Sequence, residues 1–145
     1  MKLIPWWSTS INDDDRHKLI EAMATNSFSM GNCTKKLEEA LAEKFNLPYV
    51  VVTNSGSSAL IMSLLACGVK QGDEVIVPAV TWIATAQAAA CLGAKVILVD
   101  CENDQTTIDV NQVEKSITNK TKAIIPVHLN GRACNMERLK NLVED

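Results

Sequence analysis

The sequence predicts an α/β fold in which a doubly wound, mainly parallel sheet carries helices on both faces. Two observations predict it. Short apolar, β-branched runs alternate four times with helix-length segments, at 49–53, 74–78, 95–100 and 123–128 for strands and 57–67, 81–91, 109–117 and 135–144 for helices. The chain of 145 residues is also 47% hydrophobic, which is enough to fill the core of one ordinary domain.

Each element has a local reason. After an extended arm, Asn12 to Asp15 offer N-cap side chains, and Leu19, Ile20 and Met23 give the apolar spacing of a first helix that Ser27 to Asn32 break. Leu37, Leu41 and Phe45 share one face of a second helix, with Glu38, Glu39, Glu43 and Lys44 on the other, and it ends before Pro48. The segments Ala59 to Leu65 and Ala84 to Leu92 are nearly free of charge, which predicts burial against the sheet or a partner subunit. By contrast, Asp109, Glu114 and Lys115 predict a helix facing water. Residues 101–108 read as a polar surface loop whose acids do not match the liganding positions of a calcium loop.

The turn after the first expected strand is the most informative stretch. Val50-Val51-Val52-Thr53 runs through Asn54-Ser55-Gly56-Ser57 directly into a helix, so free backbone N–H groups and the helix dipole converge on one spot suited to a phosphate. There is one glycine rather than three and no Walker lysine, so neither dinucleotide fingerprint nor P-loop applies. Taken alone, the turn reads first as an ordinary N-cap. The second strand, Glu74 to Pro78, leads through Thr81-Trp82-Ile83, and a parallel neighbour would bring Trp82 to the same sheet edge as Gly56. An aromatic face beside a phosphate site suits a planar, phosphorylated ring, whereas Trp82 alone reads first as a core aromatic at a helix start.

With Gly72-Asp73-Glu74-Val75-Ile76-Val77-Pro78, Leu92-Gly93-Ala94-Lys95, Val99-Asp100, Thr121 to His128 and Gly131 in order behind Asn54 to Leu60 and Thr81 to Thr85, the chain resembles the DegT/DnrJ/EryC1/StrS aminotransferases. Ile4-Pro5, Ser29-Met30-Gly31 and Leu37 to Ala42 are similar to that family's opening segment. The resemblance covers essentially the whole chain, as the first two-fifths or so of such an enzyme. It implies the three-layer α/β/α large domain of fold type I pyridoxal-phosphate enzymes, with 1–31 as arm and first helix and 32–145 as the incomplete domain. It implies pyridoxal 5'-phosphate held by Gly56 and Ser57, with Trp82 stacked on the ring, and Ser29 and His128 as substrate candidates. It also implies amino transfer from a donor such as glutamate to a nucleotide-linked keto sugar, in a homodimer; a cytoplasmic location is expected from the composition of the chain's opening and the lack of a bilayer-length run.

The resemblance further places the cofactor-bearing lysine and the acid beside the pyridine nitrogen past residue 145. Lys70, Lys95 and Lys122 match no such lysine, and Glu144-Asp145 comes too early for the acid, so the 145-residue chain is expected to be inactive by itself. A truncated, non-catalytic assembly module and a related sugar dehydratase or cyclitol aminotransferase are the alternatives. Trp6 and Trp7 fit either sugar stacking or a dimer contact. His128 fits either substrate orientation or a strand-end cap.

Composition narrows the classes. A net charge of −3 gives no basic footprint for nucleic acid. Trp6, Trp7 and Asp13 to Asp15 replace the apolar core of a secretory signal, and no run reaches bilayer length. The five cysteines, at 33, 67, 91, 101 and 134, are scattered without a Cys-x-x-Cys pair and read as reduced thiols in packed elements; His17 and His128 are too far apart for a local metal motif.

Overall fold

The computed structural model describes the chain apart from Met1, Lys2, Ile4, Trp6, Trp7, Ser27, Asp104 and Asp145. The readings of Ile4, Trp6, Trp7 and Asp145 therefore lie outside the described residues. Contacts divide the chain into two compact units, Met1–Val52 and Thr53–Asp145, so that residues 32–52 group with the chain before them.

The first unit holds α1 (Asp13–Ala24) and α2 (Asn32–Phe45). Helix α1 opens on a reciprocal capping box: the Asn12 side chain accepts from the Asp15 N–H, and the Asp15 carboxylate accepts from the Asn12 N–H, both at 3.0 Å. Asn46 ends α2 in the left-handed region. Neither helix has a buried residue, and the apolar Leu19, Ile20, Met23, Leu37 and Phe45 are exposed.

The expected strand at 49–53 is absent. Tyr49 is 90% and Val51 67% exposed, and the Val52 N–H donates to the Glu38 carboxylate at 3.0 Å rather than to a strand. β-branched residues make a strand only where a neighbouring backbone completes the ladder, and no described strand does so here. The sheet accordingly has three strands, not four.

In the second unit the order is α3 (Gly56–Ala66), β1 (Glu74–Pro78), α4 (Ala84–Cys91), β2 (Lys95–Val99), α5 (Val110–Ser116), β3 (Thr121–Ile124), a short 3-10 turn at Leu129–Gly131 and α6 (Met136–Glu144). The sheet is parallel with order β2-β1-β3; Glu74 pairs with Lys95 and with Thr121, and Pro78 with Val99. Alternate residues of β1 go to opposite faces, as a pleated strand requires. Val75 and Val77 join Leu64 of α3 and Ala88 and Ala89 of α4 on one face, while Ile76 joins Val110 and Val113 of α5 and Leu139 of α6 on the other. The expected α/β/α layering is observed, and burial of all five β1 residues makes it the centre of the sheet.

Some expectations shift. The second apolar helix begins at Ala84, not at 81, and the last strand ends at Ile124 rather than 128. Residues 125–128 still follow the core, but only the Ile125 N–H finds a carbonyl on β1, that of Ile76 at 2.9 Å. Cys134 is buried and Cys101 half-buried as packed thiols, whereas Cys33, Cys67 and Cys91 are exposed.

The amino end of the sheet is closed by a carboxylate. Glu74, 7% exposed, accepts from the Thr118 hydroxyl at 2.7 Å and from Lys95 Nζ at 3.2 Å. Those hydrogen bonds, with the positive charge of Lys95 and Lys120, hold its carboxyl below the ordinary range against the opposing effect of burial. The clasp ties β1, β2 and the turn into β3 together where a bulge shifts the β1–β3 register between Glu74 and Val75.

Candidate functional site

Because α3 runs toward the start of β1 and α4 starts where β1 ends, both helices begin at the carboxyl edge of the sheet, where ligands of open α/β sheets bind. Between their first turns lies a cleft of about 550 Å³ lined by Gly56, Ser57, Ala59, Leu60 and Ser63 of α3 and by Trp82, Ala84 and Thr85. The structure thus brings the three sequence-predicted cofactor residues to one cleft.

The α3 start is built by its own short side chains. Ser55, extended at the N-cap, accepts from the Ser58 N–H at 3.2 Å, and its hydroxyl shares a hydrogen bond with that of Ser58 at 2.9 Å. Ser58 also donates to Asn54 Oδ1 at 3.1 Å, and the Thr53 hydroxyl donates to the Ser55 carbonyl at 2.8 Å. The turn is therefore fixed without help from Gly56 or Ser57. Their amide groups precede the first intrahelical bond, from Ala59 N–H to Ser55 carbonyl, and, like the Ser57 hydroxyl, have no protein acceptor among the described residues. A Cβ added at Gly56 would meet no atom within 4 Å. Glycine is not required there by crowding from the protein.

Across the cleft Trp82 is 77% exposed. It immediately precedes the helical turn, its carbonyl accepting the Thr85 N–H at 3.0 Å. No titratable side chain lines the cleft, so proton transfers at a ligand there need groups from elsewhere. Two free amides and a hydroxyl at a helix start, open volume over a glycine and an exposed indole fit a phosphate joined to a planar ring, as in pyridoxal phosphate.

Of the two substrate candidates, His128 does not line this cleft and Ser29 belongs to the other unit. Ser29 is exposed in the bend before α2, within the first unit. His128 is exposed, but its Nδ1 accepts the Cys134 N–H at 3.0 Å while the buried Cys134 thiol donates to the Val127 carbonyl at 3.2 Å. The imidazole thus ties down the 128–134 loop, which also needs left-handed Asn130 and Gly131, and leaves Nε2 without a hydrogen-bond partner among the described residues. Sequence reasoning missed Ser63 and Thr85 as cleft residues. The Thr81–Thr85 spacing carried a signal, since residues four apart share one face of a helix start.

Among the described residues there is no group of three His, Cys, Asp or Glu placed to hold a metal, and no helix long and apolar enough to cross a membrane.

A parallel sheet with an open, phosphate-suited helix start facing an aromatic side chain defines an α/β protein of cofactor-binding type. The chain belongs to the DegT/DnrJ/EryC1/StrS aminotransferase family, whose model matches residues 9–145. It is similar to GDP-perosamine synthase of Escherichia coli O157:H7, 39% identical over 145 residues that make up 99% of this chain and 40% of that protein. Its fold is similar to that of a candidate sugar aminotransferase of Streptococcus pneumoniae in its PMP-form, with a TM-score of 0.91 and 35% identity over 97% of this chain and 36% of that one. The E. coli GDP-4-keto-6-deoxy-D-mannose-3-dehydratase with bound hydrated PLP is also similar, with a TM-score of 0.88, 29% identity and coverage of 97% and 37%. The chain spans about 40% of the length of that synthase.

Proposed function

We propose that this chain forms the opening part of a pyridoxal-phosphate-dependent aminotransferase that passes an amino group from an amino acid such as glutamate to a nucleotide-linked keto sugar. In this reading residues 1–31 are the N-terminal arm and first helix and 32–145 the first part of the large domain. The observation that carries the proposal is the pair of unpartnered amides at Gly56 and Ser57 facing the same cleft as the exposed Trp82. Family membership and a sugar-nucleotide dehydratase with bound PLP among the similar structures support the choice of cofactor and substrate class.

When bound, pyridoxal phosphate supplies the electron sink that lets nitrogen leave an amino acid and enter a ketone. The chain's own share is binding and orientation. Gly56 and Ser57 hold the phosphate through backbone N–H groups and the Ser57 hydroxyl. Trp82 sets the ring plane and excludes water from one face. Ser29 and His128 are assigned to the sugar side, His128 through the Nε2 that its bond to the Cys134 N–H leaves available. The lysine and acid that complete the chemistry lie outside residues 1–145, so this segment by itself does not turn over. We assign a cytoplasmic homodimer.

The test is an assay of the whole protein with pyridoxal phosphate, glutamate and GDP-4-keto-6-deoxy-D-mannose or another nucleotide-linked keto sugar. Equimolar 2-oxoglutarate and amino sugar are expected. Loss of a sugar hydroxyl with no nitrogen retained would assign the dehydratase reading, which the similarity to the E. coli dehydratase favours as runner-up. No reaction with any keto sugar would overturn both.

A further inference from the structure

Trp82 presents a physical problem. Its side chain is 77% exposed, so packing does little to hold the ring in place, although the reading above requires a fixed plane. Nor does its helix have an ordinary cap: Ile83, at the N-cap of α4, makes no side-chain hydrogen bond to the helix, in contrast to Ser55 at α3. What holds the segment is Thr85. Its side chain is almost wholly covered, at 4% exposure, and its hydroxyl shares a hydrogen bond with the Thr81 hydroxyl at 3.0 Å. Its N–H donates to the Trp82 carbonyl at 3.0 Å. The residue before Trp82 and Trp82's own peptide are thus both anchored to a single buried residue of the first helical turn, which also lines the cleft.

We infer that the Thr81–Thr85 hydroxyl pair is a positioning device for Trp82, doing at α4 what an N-cap side chain does elsewhere and fixing the direction in which the indole enters the cleft. The inference rests on the cofactor reading for its purpose but not for its geometry. A hydroxyl at both positions is what matters. Valine, nearly the same shape, removes the bond and, at either position alone, leaves the other hydroxyl without its partner, whereas serine keeps it.

The two parts separate experimentally. In the whole protein with Trp6 and Trp7 changed to Phe, Trp82 is the sole tryptophan of residues 1–145, and any later ones are replaced likewise. Time-resolved fluorescence anisotropy without cofactor then reports its local motion. Thr81→Val and Thr85→Val should each about double the fast depolarising amplitude, and Thr81→Ser and Thr85→Ser should match the parent. In the same proteins, the valine variants should weaken pyridoxal phosphate binding about three- to tenfold. Thr81 is only half-buried, so its valine variant provides the result if Thr85→Val does not fold. Parent-like anisotropy in the valine variants overturns the inference, whatever their affinity. Increased motion with no cofactor binding even by the parent supports the positioning device and sinks the functional reading instead.

Discussion

At the amino end of the sheet the Glu74 carboxylate is nearly buried and both its oxygens are met, by Thr118 and Lys95; at the carboxyl end the amides of Gly56 and Ser57 and the Ser57 hydroxyl have no partner among the described residues, and an indole stands in the open. Both ends are built from short turns, so the contrast is not one of loop against core. It is a contrast of satisfaction. Polar groups that serve the fold are paired with each other, because an unpaired buried group is costly, whereas the groups we propose to serve a ligand are left exposed and unpaired at a fixed place. The glycines divide in the same way. Gly93, at the amino end with φ +73°, would put a Cβ 3.2 Å from Gln71, whereas Gly56 would meet nothing.

The comparison can be broken at four points. Gly56→Val should raise the dissociation constant for pyridoxal phosphate by about ten- to a hundredfold by filling the space over the anion site, with little change in the thermal melt; unchanged affinity by titration would remove the assignment. Gly93→Ala should do the reverse, costing about 1–2 kcal/mol in chemical denaturation through the left-handed backbone and the Gln71 contact while leaving affinity alone. Trp82→Ala should weaken cofactor binding about three- to tenfold, the worth of one aromatic stack, and leave stability unchanged because the ring covers little.

The fourth and smallest effect is a pH dependence at the amino end. The Glu74 carboxyl lies below its ordinary value of 4.5 when folded, so the stability it contributes is fully present above that value and is lost as pH falls through the folded pKa. Denaturation midpoints of Glu74→Gln and the parent should therefore converge on acidification below about pH 4.5. Parallel curves down to the acid transition would remove the clasp from the account.

Much of this was legible in the sequence because it depends on local chemistry. The strand at 74–78, an N-cap in the turn before α3 and the juxtaposition of Gly56 with Trp82 all follow from apolar runs and turn residues. The strand at 49–53 was misread because a ladder needs a partner that the segment itself does not specify; its β-branched residues state a preference, and Val52 bonds to Glu38 instead. Glu74 and Thr118 were unreadable for the same reason. They lie 44 residues apart, and only the parallel register brings them together. Thr85 was quoted within a motif but given no role, since its importance comes from burial.

The central claim is that the α3 start is a phosphate cup, and the most direct test compares pyridoxal phosphate with pyridoxal on the whole protein, with and without Ser57→Ala or Gly56→Val. The account predicts that the phosphate strengthens binding to the parent by about a hundredfold or more, that Ser57→Ala removes a modest part of that gain and that Gly56→Val removes most of it, with pyridoxal itself binding all three alike. An equal phosphate gain in the parent and in Gly56→Val would contradict it.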